Sequence, residues 1–209
     1  MRKNNEFSLS TQKELLMHSS YPIEITEAIM HDSVSQTLFG NFEPFISGSD
    51  QDAWQFYSVV LSALEQQPGV NVIRETCHHG SGYASYVSAF LYPGDGRSRR
   101  DFPTYVETTG ILLYLSRLAP LAAYGASARA ENKDGKGSSA GFIEVSNVGL
   151  LPDGDWTDFI ATVADVLGKF HIELLPRAPL ILPAPDGIEI PTVFDGPYYV
   201  FDTLFYWCD

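Results

Sequence analysis

The segment GILLYLSRLAP, residues Gly110–Pro120, is the most apolar continuous run in the chain, and the fold follows from where it must lie. Its strongly polar members are Ser116 and Arg117. On the surface such a run would form a large exposed apolar patch, so we expect it inside the core. It is shorter than the roughly 20 apolar residues that a membrane-spanning helix needs. The Val- and Thr-rich lead-in from Tyr105 favours one long strand, with Gly110 at a bulge or kink.

Upstream of this run, the pattern predicts one good helix and a pair of strands. Residues 1–9 are polar and expected to be loose, and a short helix signal follows Ser10. The good helix begins with a capping-box pattern at Ser49 and Asp52 and stops at Pro68-Gly69. Strands at 70–76 and 83–92 should then form a hairpin. The apolar stripe of the helix is Trp54, Tyr57, Val60, Leu61 and Leu64.

Downstream, we expect strands at 121–130 and 140–146, joined by a charged, Gly-rich turn. A second helix should start at Asp155, with Trp156, Phe159, Ile160, Val163 and Leu167 facing the core. A short strand, His171–Leu175, then leads into a Pro-rich extended connector at 176–191. The bulky residues of 198–207 favour a final strand. Together these elements predict a single α+β domain over residues 1–209, with a mostly antiparallel sheet and two main helices packed on it.

The charge is strongly acidic and unevenly distributed. The chain of 209 residues has 13 basic and 26 acidic side chains, a net charge of -13. Residues 14–73 contain eight acidic and no basic side chains, and residues 150–209 contain ten acidic side chains against Lys169 and Arg177. Such a surface repels nucleic acid and anionic membranes and speeds association with a basic partner. Acidity also keeps a protein soluble, and net charge alone does not separate these roles.

The two cysteines, Cys77 and Cys208, cannot form a disulfide framework, which favours a reducing compartment. The basic N-terminal residues are not followed by an apolar stretch, so we expect no secretory signal. We therefore predict a cytoplasmic protein.

One segment concentrates reactive side chains: Cys77-His78-His79, followed by Gly80-Ser81-Gly82. Cysteine and histidine could supply a nucleophile and a base, or soft metal ligands. However, adjacent residues on a strand point to opposite faces, and a metal would need a remote fourth ligand. A hairpin turn with polar side chains is the simpler interpretation. We predict no catalytic residue, no metal and no cofactor.

Arg97, Arg99 and Arg100 follow a Pro-Gly turn and are expected on an exposed loop. Guanidinium groups suit phosphate. The overall charge argues against nucleic-acid binding, however, and local acids such as Asp95 and Asp101 can pair with these arginines.

Two acidic sets precede the two main helices and are the candidate partner-binding residues. Carboxylates at a helix N-terminus also offset the helix dipole, so part of each set has a local structural role. The carboxylates that do not stabilise a helix N-terminus are the ones that we expect to contact a partner. The sets are Glu43, Asp50 and Asp52, and Asp153, Asp155 and Asp158.

Two motifs, Gly110–Pro120 and the ending 201–207 (FDTLFYW), resemble bacterial polymorphic-toxin immunity proteins, nearest to the immunity protein 52 family. The resemblance implies a cytoplasmic α+β protein that binds and neutralises a cognate nuclease toxin of the restriction-endonuclease type, delivered by a secretion system such as type VI. It implies no catalytic residue. The residues of these motifs that we expect to be structural are Tyr114, Arg117, Pro120, Phe201, Asp202 and Trp207.

Two other functions stay open at this point. One is a small hydrolase or transferase built around Cys77, His78 and His79, and the other is an adaptor or chaperone for a secreted effector. Arg117 lies within the apolar run, and if it is buried it needs acidic or carbonyl partners. We expect a carboxylate such as Glu107, Glu144 or Asp202.

Overall fold

The computed structural model describes residues 50–75, 83–186, 190 and 196–208. The short helix predicted after Ser10 and the predicted cap at Ser49 lie outside these residues. In chain order the elements are α1 (Asp50–Glu65), β1 (Val70–Arg74), β2 (Tyr83–Ala84), β3 (Tyr86–Pro93), β4 (Arg99–Asp101), β5 (Tyr105–Ser116), β6 (Leu121–Asn132), β7 (Ser138–Ala140), α2 (Thr157–Lys169), β8 (Glu173–Leu174), α3 (Arg177–Leu180), α4 (Val200–Leu204) and β9 (Trp207–Cys208).

The main sheet has seven strands and is strongly curled. Its path runs β1-β3-β5-β6-β7, and all of these pairs are antiparallel. Strand β4 pairs with the first half of β5, and β8 pairs in parallel with the start of β6. Strands β2 and β9 form a separate two-stranded sheet. The predicted α+β class and the mostly antiparallel sheet are confirmed.

Strand β5 lies at the centre of the sheet and is covered on both faces. Ile111, Leu113 and Leu115 are buried on the face that carries α1 and α2. Leu112 and Tyr114 are buried on the opposite face, against α3 and α4. Side chains alternate between the two faces of a strand, so a continuously apolar strand needs a layer on each side. The opening segment is therefore the core strand that its composition predicts, although the strand ends at Ser116 and not at Pro120.

Both main helices form where they are predicted and pack on the same face of the sheet. The stripe of α1 is buried at Tyr57, Val60, Leu61 and Leu64, and α2 buries Phe159, Val163 and Leu167. Each helix enters its following strand through a short turn, α1 into β1 and α2 into β8. Strands β1 and β8 run in opposite directions in the sheet, so the two helices also run in opposite directions.

Gly110 is not at a bulge. It pairs with Ser127 in a register that continues without interruption on either side. A Cβ atom at this position would lie 2.4 Å from the carbonyl oxygen of Leu91 and 2.6 Å from Cζ of Phe90. Glycine is therefore required here by the close approach of β3, because any larger residue would collide with its backbone and with a buried ring.

Several strands are shorter than predicted. The hairpin partner of β1 is divided at Ser85 into β2 and β3, which belong to different sheets. The strand predicted at 140–146 is reduced to β7; residues 141–144 have no regular structure, and turns follow at 145–147 and 149. The short strand around Glu173 and Leu174 is confirmed.

The final strand predicted at 198–207 is wrong over most of its length. Residues Val200–Leu204 form the short helix α4, and Trp207–Cys208 forms the only strand in that range. Asp202 Oδ2 accepts a hydrogen bond from the backbone N–H of Tyr199 at 2.8 Å, which closes the first turn. Val200, Phe201 and Leu204 are all buried. A short, largely buried run such as this one, which also contains Asp202 and Thr203, is compatible with a helix as well as with a covered strand.

The Pro-rich connector at 176–191 is also not wholly extended, because Arg177–Leu180 forms the one-turn helix α3. Pro176 precedes the first helical residue, where a proline costs no helical hydrogen bond. Leu180 is fully buried, and Arg177 Nη1 donates to the carbonyl of Val148. These two contacts hold the connector against the sheet. None of the described helices combines the length and the apolar character needed to cross a bilayer.

Candidate functional site

The acidic set at the start of α2 is displayed to solvent. Asp153, Asp155 and Asp158 are all exposed. The backbone N–H of Thr157 donates to Asp155 Oδ1 at 3.0 Å, and this hydrogen bond holds the pKa of Asp155 below its usual value. Asp155 therefore caps the first turn of α2 and stays ionised in that role, whereas the sequence predicts the capping role for Asp158, which lies within the first turn. Asp165, about two turns after Asp158 in α2, is exposed as well.

The other acidic set is only partly described. Asp50 is the first residue of α1, and Asp52 is half-buried in its first turn. Glu43 lies outside the described residues. Since α1 and α2 run in opposite directions, their N-termini lie at opposite ends of the helix pair. Asp52 is therefore separated from the acidic residues at the start of α2.

Ion pairs between described residues neutralise acids of the central segment, not those of α2. Arg74 pairs with Glu65 at 2.8 Å, and Arg129 pairs with Glu75 at 2.6 Å. Further pairs join Asp95 with Arg97, Glu131 with Arg129, and Asp101 with Lys133.

Of the three arginines predicted on a loop, Arg97 is in the turn before β4, with its guanidinium 5.8 Å from the ring centre of Trp156. Arg99 and Arg100 are exposed, but they lie on the edge strand β4 and not in a loop. Arg97 is held by Asp95 and an aromatic face, as expected of a locally paired arginine.

Cys77, His78 and His79 lie within residues 76–82, outside the described part of the chain. Within the residues that are described, no group of three or more His, Cys, Asp or Glu side chains is placed to hold a metal ion.

A groove that the sequence did not predict lies on the face of the sheet opposite α1 and α2. Its volume is about 630 Å³, and eight of its fourteen described lining residues are aromatic. The loop around residues 142–146 forms one side, and the chain from Pro197 to Trp207 forms the other. A cavity of this size, mostly apolar with a few polar groups, is typical of a binding site. We call it the aromatic groove; its aromatic residues are Tyr86, Tyr114, Phe142, Tyr198, Phe201, Phe205, Tyr206 and Trp207.

Tyr114 from β5 holds the two sides of the aromatic groove together. Its ring stacks on Tyr86 from β3, with 3.8 Å between the ring centres, and lies 6.5 Å from Phe201 and 6.4 Å from Phe205. Its hydroxyl accepts a hydrogen bond from the backbone N–H of Ile143 at 3.2 Å, which fixes the opposite loop. The central strand β5 therefore contributes to the aromatic groove, through Tyr114, as well as to the core of the sheet.

Two carboxylates, and no basic side chain, are among the described residues that line the aromatic groove. Asp202 is half-buried, and burial raises the pKa of its carboxyl above the usual value, although the hydrogen bond from Tyr199 N–H acts in the opposite direction. Glu144 is exposed at the opposite side. Arg117 does not line the groove. The lining is therefore aromatic and negatively charged.

Four of the six residues predicted to be structural line this groove. Tyr114 comes from the first motif, and Phe201, Asp202 and Trp207 come from the second, yet all four line the same cavity. Pro120 is buried, and its carbonyl accepts a hydrogen bond from the N–H of Glu173 at 2.9 Å. The sequence signal that could have indicated the groove is the density of aromatic residues from 198 to 207, which we had assigned to a covered strand.

Arg117 has a carbonyl partner, one of the two kinds of partner that the sequence predicts for it. It is half-buried, and its Nη1 donates to the backbone carbonyl of Ala84 at 2.8 Å. The ion pairs between described residues do not join it to Glu107, Glu144 or Asp202.

Comparisons of the chain with protein-family models, with curated proteins and with solved structures find no match. The resemblance to immunity proteins therefore stays a prediction based on the two motifs.

Proposed function

We propose that this protein binds and neutralises a basic toxin of a bacterial polymorphic-toxin system, most simply a nuclease effector, and that it acts in the cytoplasm by protein–protein contact without catalysis. The observation that carries this proposal is the unpaired acidic surface of α2. Asp153, Asp155, Asp158 and Asp165 are exposed, and none forms an ion pair with another described residue.

The physical argument concerns the charge that a nuclease must present. A groove that binds the phosphate backbone has to be basic, so an acidic inhibitor is attracted to it over a distance and can cover it. Charged groups at the rim of such an interface mainly raise the association rate, and salt screens this effect. An inhibitor can cover the nucleic-acid groove of the toxin, or it can bind another surface and block toxin assembly. Electrostatic attraction of the toxin by the carboxylates of α2 is compatible with both mechanisms.

The experiment is co-expression of this protein with the toxin encoded next to its gene, followed by co-purification. Protection of the cells and a stable complex are expected. If the protein gives no protection and no complex is recovered, the proposal is wrong.

A charge-matched pair of variants tests the part played by α2. The triple substitution Asp153→Asn, Asp155→Asn and Asp158→Asn removes three charges while keeping an acceptor for Thr157 N–H. We expect the association rate at low salt to fall by about three- to tenfold, with a smaller difference at high salt. The control triple Asp101→Asn, Asp134→Asn and Asp186→Asn makes the same change in net charge at other exposed sites. An equal loss of rate in both triples would show that only net charge matters.

The enzyme alternative rests on Cys77, His78 and His79. Replacing all three with Ala should leave protection intact if the protein acts by binding. Lost function in a triple variant that is still folded would favour a hydrolase or transferase.

A further inference from the structure

We propose that the aromatic groove binds an arginine side chain presented by the basic partner, with its guanidinium against the aromatic lining and its charge met by Asp202 and Glu144. This inference rests on the proposed function for the identity of the partner, and it names a second contact surface, on the face of the sheet opposite α1 and α2.

The first argument is the geometry of the aromatic rings. Tyr86 and Tyr114 stack with 3.8 Å between their ring centres, and Phe201 and Phe205 stack at 5.5 Å, so these four buried rings cover one another and form a fixed wall of the groove. Other aromatic residues of the lining are only half-buried, namely Tyr198, Tyr206 and Trp207. Planar cations bind to the faces of aromatic rings, and arginine does so more often than lysine.

The second argument is charge. A purely apolar groove would favour an apolar ligand, but this one contains two carboxylates and no basic side chain among its described lining residues. Asp202 Oδ2 already accepts from Tyr199 N–H, and a carboxylate has further acceptor positions on both oxygens. A guanidinium can use these positions through charge-assisted hydrogen bonds. A phosphate or carboxylate ligand would instead be repelled.

The third argument is access. Phe142, at the rim, has 58% of its surface exposed, and among the described residues Val59 is the only other large hydrophobic residue exposed to this extent. Glu144 and Pro197, also at the groove, are exposed too. A protein partner can therefore bury Phe142 while its arginine enters the cavity. The volume of about 630 Å³ leaves room for the arginine and for parts of neighbouring side chains.

The first arm of the test needs no toxin. The purified full-length protein is titrated by calorimetry with phenethylguanidinium and with its neutral analogue of similar shape, phenethylurea. We expect the guanidinium to bind at least tenfold more tightly, because only it can pair with the carboxylates. Equal affinity for the two probes, or binding of neither, would overturn the proposal.

Two variants assign that preference to the groove. Asp202→Asn removes the charge but keeps an oxygen for Tyr199 N–H, and it should reduce guanidinium binding about tenfold with little effect on the urea. Phe142→Ala should weaken the binding of both probes. The control is Leu150→Ala, which truncates a similarly exposed side chain outside the groove. Thermal melts establish that all the variants are folded. An unchanged guanidinium preference in Asp202→Asn would contradict the assignment.

The second arm uses the toxin complex and separates this inference from the proposed function. In the complex, Asp202→Asn combined with Glu144→Gln should increase the dissociation rate about tenfold. The triple variant at the start of α2 should instead lower the association rate. If the wild-type protein protects cells but the groove variants dissociate as slowly as the wild type, the toxin does not use the groove and the inference fails while the proposed function stands. If the wild-type protein gives no protection, the proposed function fails, and the seat for a partner's arginine fails with it whatever the probes show.

Discussion

The hydroxyl of Tyr57, on α1, donates a hydrogen bond to the backbone carbonyl of Ser116, the last residue of β5. Both residues are fully buried. Burial raises the pKa of the Tyr57 hydroxyl well above its usual value, so it remains a donor at every pH at which the fold survives. Ser116 Oγ and Ser85 Oγ in turn donate to the carbonyl of Leu204, at 3.3 and 3.2 Å. A chain of hydrogen bonds therefore passes from α1, through the end of β5, to the end of α4 beside the aromatic groove.

Removing the first of these hydrogen bonds should destabilise the protein. In Tyr57→Phe the ring still fills its site, but the carbonyl of Ser116 loses a partner in a place that water does not reach. We expect the free energy of unfolding to fall by about 1–3 kcal/mol, measured by urea denaturation. Tyr105→Phe is the control, since the hydroxyl of this half-buried residue makes no hydrogen bond to a described residue. Equal stabilities of the two variants would show that the Tyr57 hydroxyl contributes nothing.

Gly110→Ala adds only one methyl group, but it should destabilise the fold strongly. The new methyl group would meet a carbonyl oxygen of β3 at 2.4 Å, and neither this backbone nor the buried ring of Phe90 can move freely. We expect a loss of about 2 kcal/mol or more in the free energy of unfolding.

The matched control for Gly110→Ala is Gly168→Ala in the last turns of α2. A Cβ atom there would have no heavy atom within 4 Å. Because alanine is the better helix former, this variant should gain up to about 1 kcal/mol. If the two alanine variants shift stability in the same direction, close packing against β3 is not the reason for the glycine at 110.

Glu173 should make the stability of the protein depend on pH near neutrality. It lies on β8 opposite Leu121, and within the described residues its Oε2 is buried and accepts no hydrogen bond. Burial raises the pKa of Glu173 to about 7. The native state therefore binds a proton more tightly than the unfolded chain does, and the protein loses stability as the pH rises from about 4.5 through 7.

Glu173→Gln should remove this loss. The variant and the wild type should have similar stabilities near pH 4.5, and at pH 8 the variant should be more stable by about 1–2 kcal/mol, a figure reduced from the full value because Glu173 keeps some contact with water. Denaturation curves from pH 4.5 to 8 measure this difference. Asp165→Asn, at an exposed carboxylate, should show no such trend. A difference that stays constant across this range would exclude Glu173 as the source.

The sequence by itself determined the parts of this fold that rest on strong local patterns. Tyr57, Leu61 and Leu64 recur at helical spacing, and they define the buried face of α1. The unbroken apolar run from Ile111 to Leu115, with its Val- and Thr-rich lead-in, favoured a buried strand, and the structure has this strand at the centre of the sheet, covered on both faces. The acidity of the start of α2 was equally visible, since charge is a property of composition.

The tertiary structure decided what the local patterns leave ambiguous. The run from Val200 to Leu204 is short and largely buried, so its pattern fits a helix or a strand. Its packing against Tyr114, together with the hydrogen bond to Asp202, selects the helix. Gly110 was recognisable as special, but the reason for it lies in β3, about twenty residues away in the chain. The aromatic groove could not be seen in either motif alone, because its rings come from distant segments that approach one another only when the sheet has formed.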